Sequence, residues 1–326
     1  MTTRFLWSEL VPYRELRSPS LLATLRARRC GLLVAVTPDD MGGLVEMVAT
    51  VRGAGVTLGL WPMLGRAAGR WANLGNLPAF AAFGHEVLDR APAFDGPLVI
   101  DLEPPIDELE AAVHGHLGRL FRGMTAAPAE VPLLDALLAR ADRMGLGSLA
   151  ATVPFVLADR GRQGFQSLLR TPVHGLPFTR VSPMLYTSMV EGYSRGALAR
   201  ADVLALLGWA ARHHRERLGG RASVSLGVVG HGILGDEPRY RGPRELAADV
   251  AIALHAGIDH LALFSLGGIL DRPPVEAWLD AFCQPIPPQT TPRPSATLRA
   301  ALATAATLAA SRALALAAER APIDGS

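Results

Sequence analysis

At 326 residues, with 49% hydrophobic and 19% charged side chains, the chain has material for one large barrel or two ordinary domains. A formal charge of +2 gives no case for nucleic acid as a partner. The sequence contains no lysine, which excludes both a lysine Schiff base and a phosphate-binding P-loop lysine.

The N-terminus, Met1 to Glu9, lacks the apolar core and small-residue cleavage site of a secretory signal, so a cytoplasmic location is the expectation. Apolar runs predict eight strands, at 4–7, 32–37, 56–61, 98–103, 148–155, 180–186, 222–229 and 260–266. Between them, apolar residues at three- and four-residue steps predict helices over 18–29, 41–52, 105–120, 134–143, 197–218 and 243–256. Asp39 and Asp40 read as caps for the second of these, and Gly53 and Gly257 as helix stops.

Eight alternating repeats favour an α/β fold of the (β/α)8 TIM-barrel type over residues 1–284. A doubly wound open sheet is the alternative, but no G-x-G-x-x-G turn follows the early strands. Cys30 and Cys283 form neither a zinc nor a redox motif and read as ordinarily packed thiols. Residues 285–294 form a Pro-rich linker, and 295–321 an Ala/Leu-rich helix interrupted by Arg299, Arg312 and Arg320. That helix is expected to dock on the barrel or on a second copy, with a membrane surface as the lesser alternative. Oligomeric state stays open.

The chemistry gathers where barrels place it, at the C-terminal ends of the strands. The strand ends offer Trp7 and Glu9, Asp39 and Asp40, Trp61, then Asp101 and Glu103. After these come Thr152 and Phe155, Met184, Tyr186 and Thr187, His231 between two glycines, and Phe264 to Gly268. Leu98-Val99-Ile100-Asp101-Leu102-Glu103-Pro104-Pro105 is the most informative of these runs. Alternation along a strand puts Asp101 and Glu103 on one face, where two close carboxyls cannot both ionise freely. One is expected to keep its proton near neutral pH, as general-acid cleavage of a glycosidic bond requires.

The Val99-Ile100-Asp101-Leu102-Glu103-Pro104 run on the fourth strand and Met184-Leu185-Tyr186 on the sixth resemble the family-18 glycoside hydrolases, the chitinases and their relatives. Their fourth-strand signature ends D-x-D-x-E and their sixth-strand signature reads M-x-Y-D. The resemblance implies that Glu103 protonates the leaving oxygen, Asp101 orients the substrate's N-acetyl group, and Tyr186 hydrogen-bonds the resulting intermediate. Two earlier aspartates of the signature fall at Gly96 and Val99, and the aspartate after the tyrosine is Thr187. The family's eighth-strand tryptophan has no counterpart among Phe264 to Gly268.

The catalytic candidates are therefore Asp101, Glu103 and Tyr186, with Trp7, Trp61, Met184 and His231 as candidates to line the sugar cleft. A carbohydrate is the expected ligand, and no cofactor or metal is implied. Two alternatives are a non-catalytic barrel that binds a glycan or a partner protein, and a metal-dependent enzyme using Glu103, His231 and Asp39. No H-x-H on the first strand supports the latter. His114 and His116, two apart on a helix, do not share a face, and His213 and His214 are placed on a solvent face. No G-x-S-x-G elbow presents a serine nucleophile.

Overall fold

Val-, Leu- and Ala-rich segments that must be buried on both faces pair in parallel, and eight such strands close on one another. They are β1 Thr3–Ser8, β2 Cys30–Val36, β3 Leu58–Pro62, β4 Leu98–Leu102, β5 Ser148–Thr152, β6 Arg180–Pro183, β7 Val224–Gly227 and β8 His260–Phe264. Hydrogen bonding runs in the order β6-β5-β4-β3-β2-β1-β8-β7, and bridges Val181↔Ala222 and Met184↔Ser225 join the two ends. The result is a (β/α)8 barrel. The computed structural model describes residues 2–113, 115–116, 118–122, 131–159, 163–284 and 297–319. His114, the linker at 285–294, and residues 295–296 and 320–321 of the predicted terminal helix lie outside the described residues.

The helices are α1 Pro19–Ala27, α2 Leu44–Gly53, α3 Leu77–Arg90, α4 Ile106–Val113, α5 Val131–Arg143, α6 Gly164–Leu169, α7 Thr187–Tyr193, α8 Arg200–Leu218, α9 Pro243–His255, α10 Val275–Cys283 and α11 Leu298–Ala318, with short turns between some of them. The predicted helix over 105–120 is two pieces, α4 and a single turn at Gly118–Arg122. Asp40 does not cap α2. Its carboxylate accepts from the Thr37 backbone N–H and closes a capping box on the short turn Pro38–Asp40, leaving Gly43 as the residue before α2.

Period-two alternation splits the core. Leu6, Leu32, Val34, Ile100, Leu102 and Leu261 face the helices, whereas Phe5, Trp7, Leu33, Trp61, Val99 and Leu149 fill the barrel interior. Gly31 and Gly59 are small for a reason: a Cβ on Gly31 would lie 2.6 Å from the Phe5 ring, and one on Gly59 2.7 Å from Leu33. The β6–β7 seam is polar inside. Ser182 and Ser225 Oγ lie 2.9 Å apart, and Ser223 Oγ is 2.8 Å from His260 Nδ1.

Cys30 and Cys283, far apart in sequence, meet beneath the barrel, where their thiols hydrogen-bond as free cysteines. His214 corrects the sequence reading, which placed it on a solvent face. It is buried at 2% exposure, with Nε2 2.8 Å from the Val181 carbonyl, because α8 turns that face onto β6. α11 is long and apolar enough, by length and composition, to cross a membrane. In this structure it packs on α6 and α8, with Ser311 Oγ donating to Asp159 at 2.7 Å.

Candidate active site

β4 ends by turning Asp101 inward, one layer above Val99, and Glu103 follows two residues on. Pro104 and Pro105 cannot continue the ladder, so the strand stops with both acids at the barrel mouth. Asp101 is buried, and Glu103 is half-buried because it lines a cavity of about 570 Å³. Their carboxyl groups hydrogen-bond to each other. Asp101 Oδ1 lies buried with no partner among the described residues.

β3 and β4 pair at only Leu60↔Leu98, and the chain after β3 doubles back into the gap. The Ala72 N–H donates to the Asp101 carbonyl at 2.9 Å, which carries Arg70 and Trp71 to the site. The loop is clamped by Asn76, whose Nδ2 donates to both the Ala68 and Trp71 carbonyls at 2.8 Å. Arg70 takes the left-handed conformation (φ 62°) and extends Nη2 to Glu9 Oε1 at 2.6 Å. Glu9, just past β1, lines the same cavity.

Glu9, Asp101 and Glu103 thus share this part of the cavity with the Arg70 guanidinium beside them, and Glu237 lines the same cavity. Burial first, then the Asp101 and Glu9 charges, pushes the Glu103 carboxyl well above the usual carboxylate range. Asp101 rises too, through burial and then Glu9, with Arg70 opposing. Glu9 is raised by burial against the pull of Arg70. The hydrogen-bonded pair is therefore set to hold a proton between its members at neutral pH.

Aromatic rings wall this end of the cavity. Trp7 and Trp61 meet edge to face with centroids 4.9 Å apart, and Trp7 Nε1 donates to Ser225 Oγ at 3.3 Å. Trp71, at 4% exposure, joins them. Tyr186 lines the cavity beside Phe264, their rings 6.0 Å apart. Burial, then the charges of Asp101, Glu103 and Glu9, raises the Tyr186 hydroxyl far above its ordinary value, so it remains a neutral donor.

Comparison with solved structures finds the PgaB (BpsB) glycoside hydrolase domain from Bordetella bronchiseptica at a TM-score of 0.53 and 11% identity, covering 88% of this chain and 100% of that one. An endo-beta-mannanase/endo-beta-glucanase of Prevotella bryantii follows at 0.50 and 12%, covering 86% and 48%. A family GH18 chitinase from Cycas revoluta, in complex with allosamidin, stands at 0.47 and 12%, covering 86% and 99%. The property shared with the first two is the fold. No family model and no curated protein matches this chain.

Of the residues singled out in the sequence, Asp101, Glu103, Tyr186, Trp7, Trp61 and Met184 all line the one cavity. His231 does not. A Cβ on Gly230 would overlap the backbone of Gly268, and this close approach leaves His231 exposed outside the cavity, while Gly232 and Ile233 line it. Asp39 is exposed and likewise off the cavity, so Glu103, His231 and Asp39 do not converge. Thr187 lines the wall, but its hydroxyl donates to the buried carboxylate of Asp249.

Arg70, Trp71 and Glu237 went unmarked in the sequence because none stands at a strand end. Glu237 is 6% exposed and accepts from the Gly232 and Leu234 N–H groups at 3.0 and 2.9 Å, fixing the loop after β7. Glu9 was visible at the end of β1, but its pairing with Arg70 joins residues 61 apart. The Gly69-Arg70-Trp71 turn ahead of Asn73 and Asn76 is the signal that could have marked the loop.

Proposed function

We propose that the protein is a glycoside hydrolase in which Glu103 protonates the leaving oxygen and Asp101 shares and steers that proton. The observation that carries this reading is the hydrogen-bonded Asp101–Glu103 pair, with raised proton affinity, inside a cavity walled by Trp7, Trp61 and Trp71. Aromatic faces suit the C–H faces of a sugar ring, while the carboxyls and the Tyr186 hydroxyl suit its polar edge.

Two carboxyls bonded to each other stand on the same side of any glycosidic bond they reach. A retaining enzyme with its own nucleophile instead holds its carboxyls about 5–5.5 Å apart, flanking the bond. Attack therefore comes from the substrate's own neighbouring group or from water, with Asp101 orienting the attacking atom and Tyr186 donating to it. An N-acetylated sugar would supply such a group. With Thr187 turned to Asp249, the contact that holds an N-acetyl group falls to Asp101 and Tyr186.

The test is turnover of p-nitrophenyl glycosides of N-acetylglucosamine, glucose and mannose by the full chain. On the corresponding methyl glycosides, whose alkoxide cannot leave unprotonated, Glu103→Gln should lower kcat by about 10²–10⁴, the usual contribution of a general acid, while sugar binding persists. Equal turnover by that variant would remove the proposal. The commitment of Thr187 to Asp249 favours one second reading, a barrel that binds a glycan without cleaving it. Binding of these sugars with no release of nitrophenol by the wild type would select it.

A further inference from the structure

The cavity that holds the acids is larger than a sugar ring requires, and its two ends differ in chemistry. The end at β1, β3 and β4 carries Glu9, Asp101, Glu103 and three of the tryptophans, while Glu237 lines the cavity from the loop after β7. The other end runs between α7, α8 and α11, and there the lining residues include Met189, Val190, Leu206, Leu207, Ala210 and Ala303. Among the described lining residues of these three helices, none bears a charged or amide side chain. Thr304 and Thr307 of α11 also line it, but their hydroxyls donate at 2.9 Å to the Ala300 and Ala303 carbonyls of their own helix. The hydroxyl donors of the roof are thus used within α11.

A polyol placed in such an arm would give up its bonds to water and receive few in return, at a cost for every hydroxyl. A hydrocarbon chain there gains from leaving water. Three large apolar residues of the cavity are also solvent-exposed: Phe155 at 49%, Val190 at 38% and Tyr193 at 37%. These mark an apolar approach continuous with the arm.

From this, and resting on the glycosidase reading, we propose that the substrate is a glycoside of an alkyl chain. The sugar sits at Asp101, Glu103 and the tryptophans, and the aglycone lies in the arm roofed by α11. The aglycone is then a hydrophobic alcohol. Glu103 gives its proton to the glycosidic oxygen as the anomeric carbon–oxygen bond breaks. Water supplies the hydroxyl of the released sugar, and its proton returns to the carboxyl pair.

The experiment is calorimetric titration of the full chain with methyl, butyl and octyl β-glucosides and β-N-acetylglucosaminides, below their micelle concentrations, with n-octanol as the sugar-free probe. Affinity should rise about fourfold per methylene, equally in wild type and in Glu103→Gln, because binding needs no proton transfer. Ala303→Trp, which fills the arm from the roof, should abolish the chain-length dependence and leave methyl glycoside binding unchanged. An affinity independent of chain length in the wild type would overturn the proposal, as would n-octanol binding as tightly as an octyl glycoside. Since the series reads binding alone, its outcome is separate from that of the turnover test, which judges the glycosidase reading.

Discussion

The Arg70 guanidinium lies 2.6 Å from the Glu9 carboxylate, and both side chains are nearly buried, at 12% and 4% exposure. Asp101, Glu103 and Glu237 share the cavity wall with Glu9, and Arg70 acts on Glu9, Asp101 and Glu103. Arg70 favours the ionised form of all three, whereas the Glu9 charge opposes ionisation of Asp101 and Glu103. A proton retained by Glu103 is what leaving-group protonation needs, so activity falls as pH rises through the elevated pKa of the pair. Glu9→Gln removes a neighbouring negative charge, lowers that pKa, and should move the basic limb of the kcat/KM–pH profile to lower pH. Arg70→Gln should move it to higher pH. Limbs that coincide with the wild type in both variants would show that the Glu9–Arg70 pair does not tune the site.

How much of this was visible in the chain follows from how local each feature is. The strand count and the inward placement of Asp101 and Glu103 rest on period-two alternation, which is written in consecutive residues, and strand ends shifted by only a few positions. Arg70 and Trp71 reach the site because a loop inserts between β3 and β4 and bonds to the Asp101 carbonyl, a non-local pairing with no periodicity of its own. His231 shows the reverse failure. Flanking glycines suggested an approach to ligand, but Gly230 is small so that the backbone can pass Gly268. His214 was misplaced because arginines adjoin it in sequence, whereas helical spacing puts it on the buried face of α8 with Leu207, Ala210 and Ala211.

Asp249 anchors a buried network: Tyr240 donates its hydroxyl at 2.7 Å, Arg200 Nη2 lies at 2.5 Å, and Thr187 donates as well. Burial outweighs these partners and raises the Asp249 carboxyl to about 6. Asp249→Ala leaves the Arg200 charge without its buried partner and should cost about 3–5 kcal/mol in a denaturant titration. Adding Arg200→Met removes the stranded charge, so the double variant should lose less than the single one. A double variant as unstable as the sum of the singles would mean that the two residues do not act as a pair.

His214, held neutral by burial, has its pKa lowered to about 4, and its ring bonds the Val181 carbonyl. A depressed folded pKa means the associated stability is fully present above the unfolded value of about 6.5 and is lost as pH falls toward 4. The contribution at neutral pH is on the order of 3 kcal/mol. Unfolding free energy measured from pH 7 to pH 4 should therefore decline. In His214→Gln, which keeps an N–H donor but cannot charge, that decline should be shallower. Identical slopes would place the acid sensitivity elsewhere, with His260, also lowered to about 4, as the next residue to replace.

The docking of α11 depends on one missing side chain. A Cβ on Gly164 would overlap the Ser311 carbonyl oxygen and lie 3.0 Å from the Ala315 nitrogen, so the two helices touch backbone to backbone at this point. Asp159 adds to the contact by accepting from Ser311 Oγ at 2.7 Å and from the Phe165 and Gln166 N–H groups at 3.0 Å. Because the obstruction is main chain on both sides, no rotamer change can relieve it, and Gly164→Ala must push α11 outward. Overpacking of this kind costs about 1–3 kcal/mol. Here it should appear as faster deuterium exchange across Leu298–Ala318, with exchange in the barrel strands unchanged. Gly147→Ala, whose added Cβ would meet Thr179 at an ordinary 3.8 Å, is the matched control and should exchange like the wild type. Equal α11 protection in Gly164→Ala and Gly147→Ala would show that the helix is held by contacts other than this one.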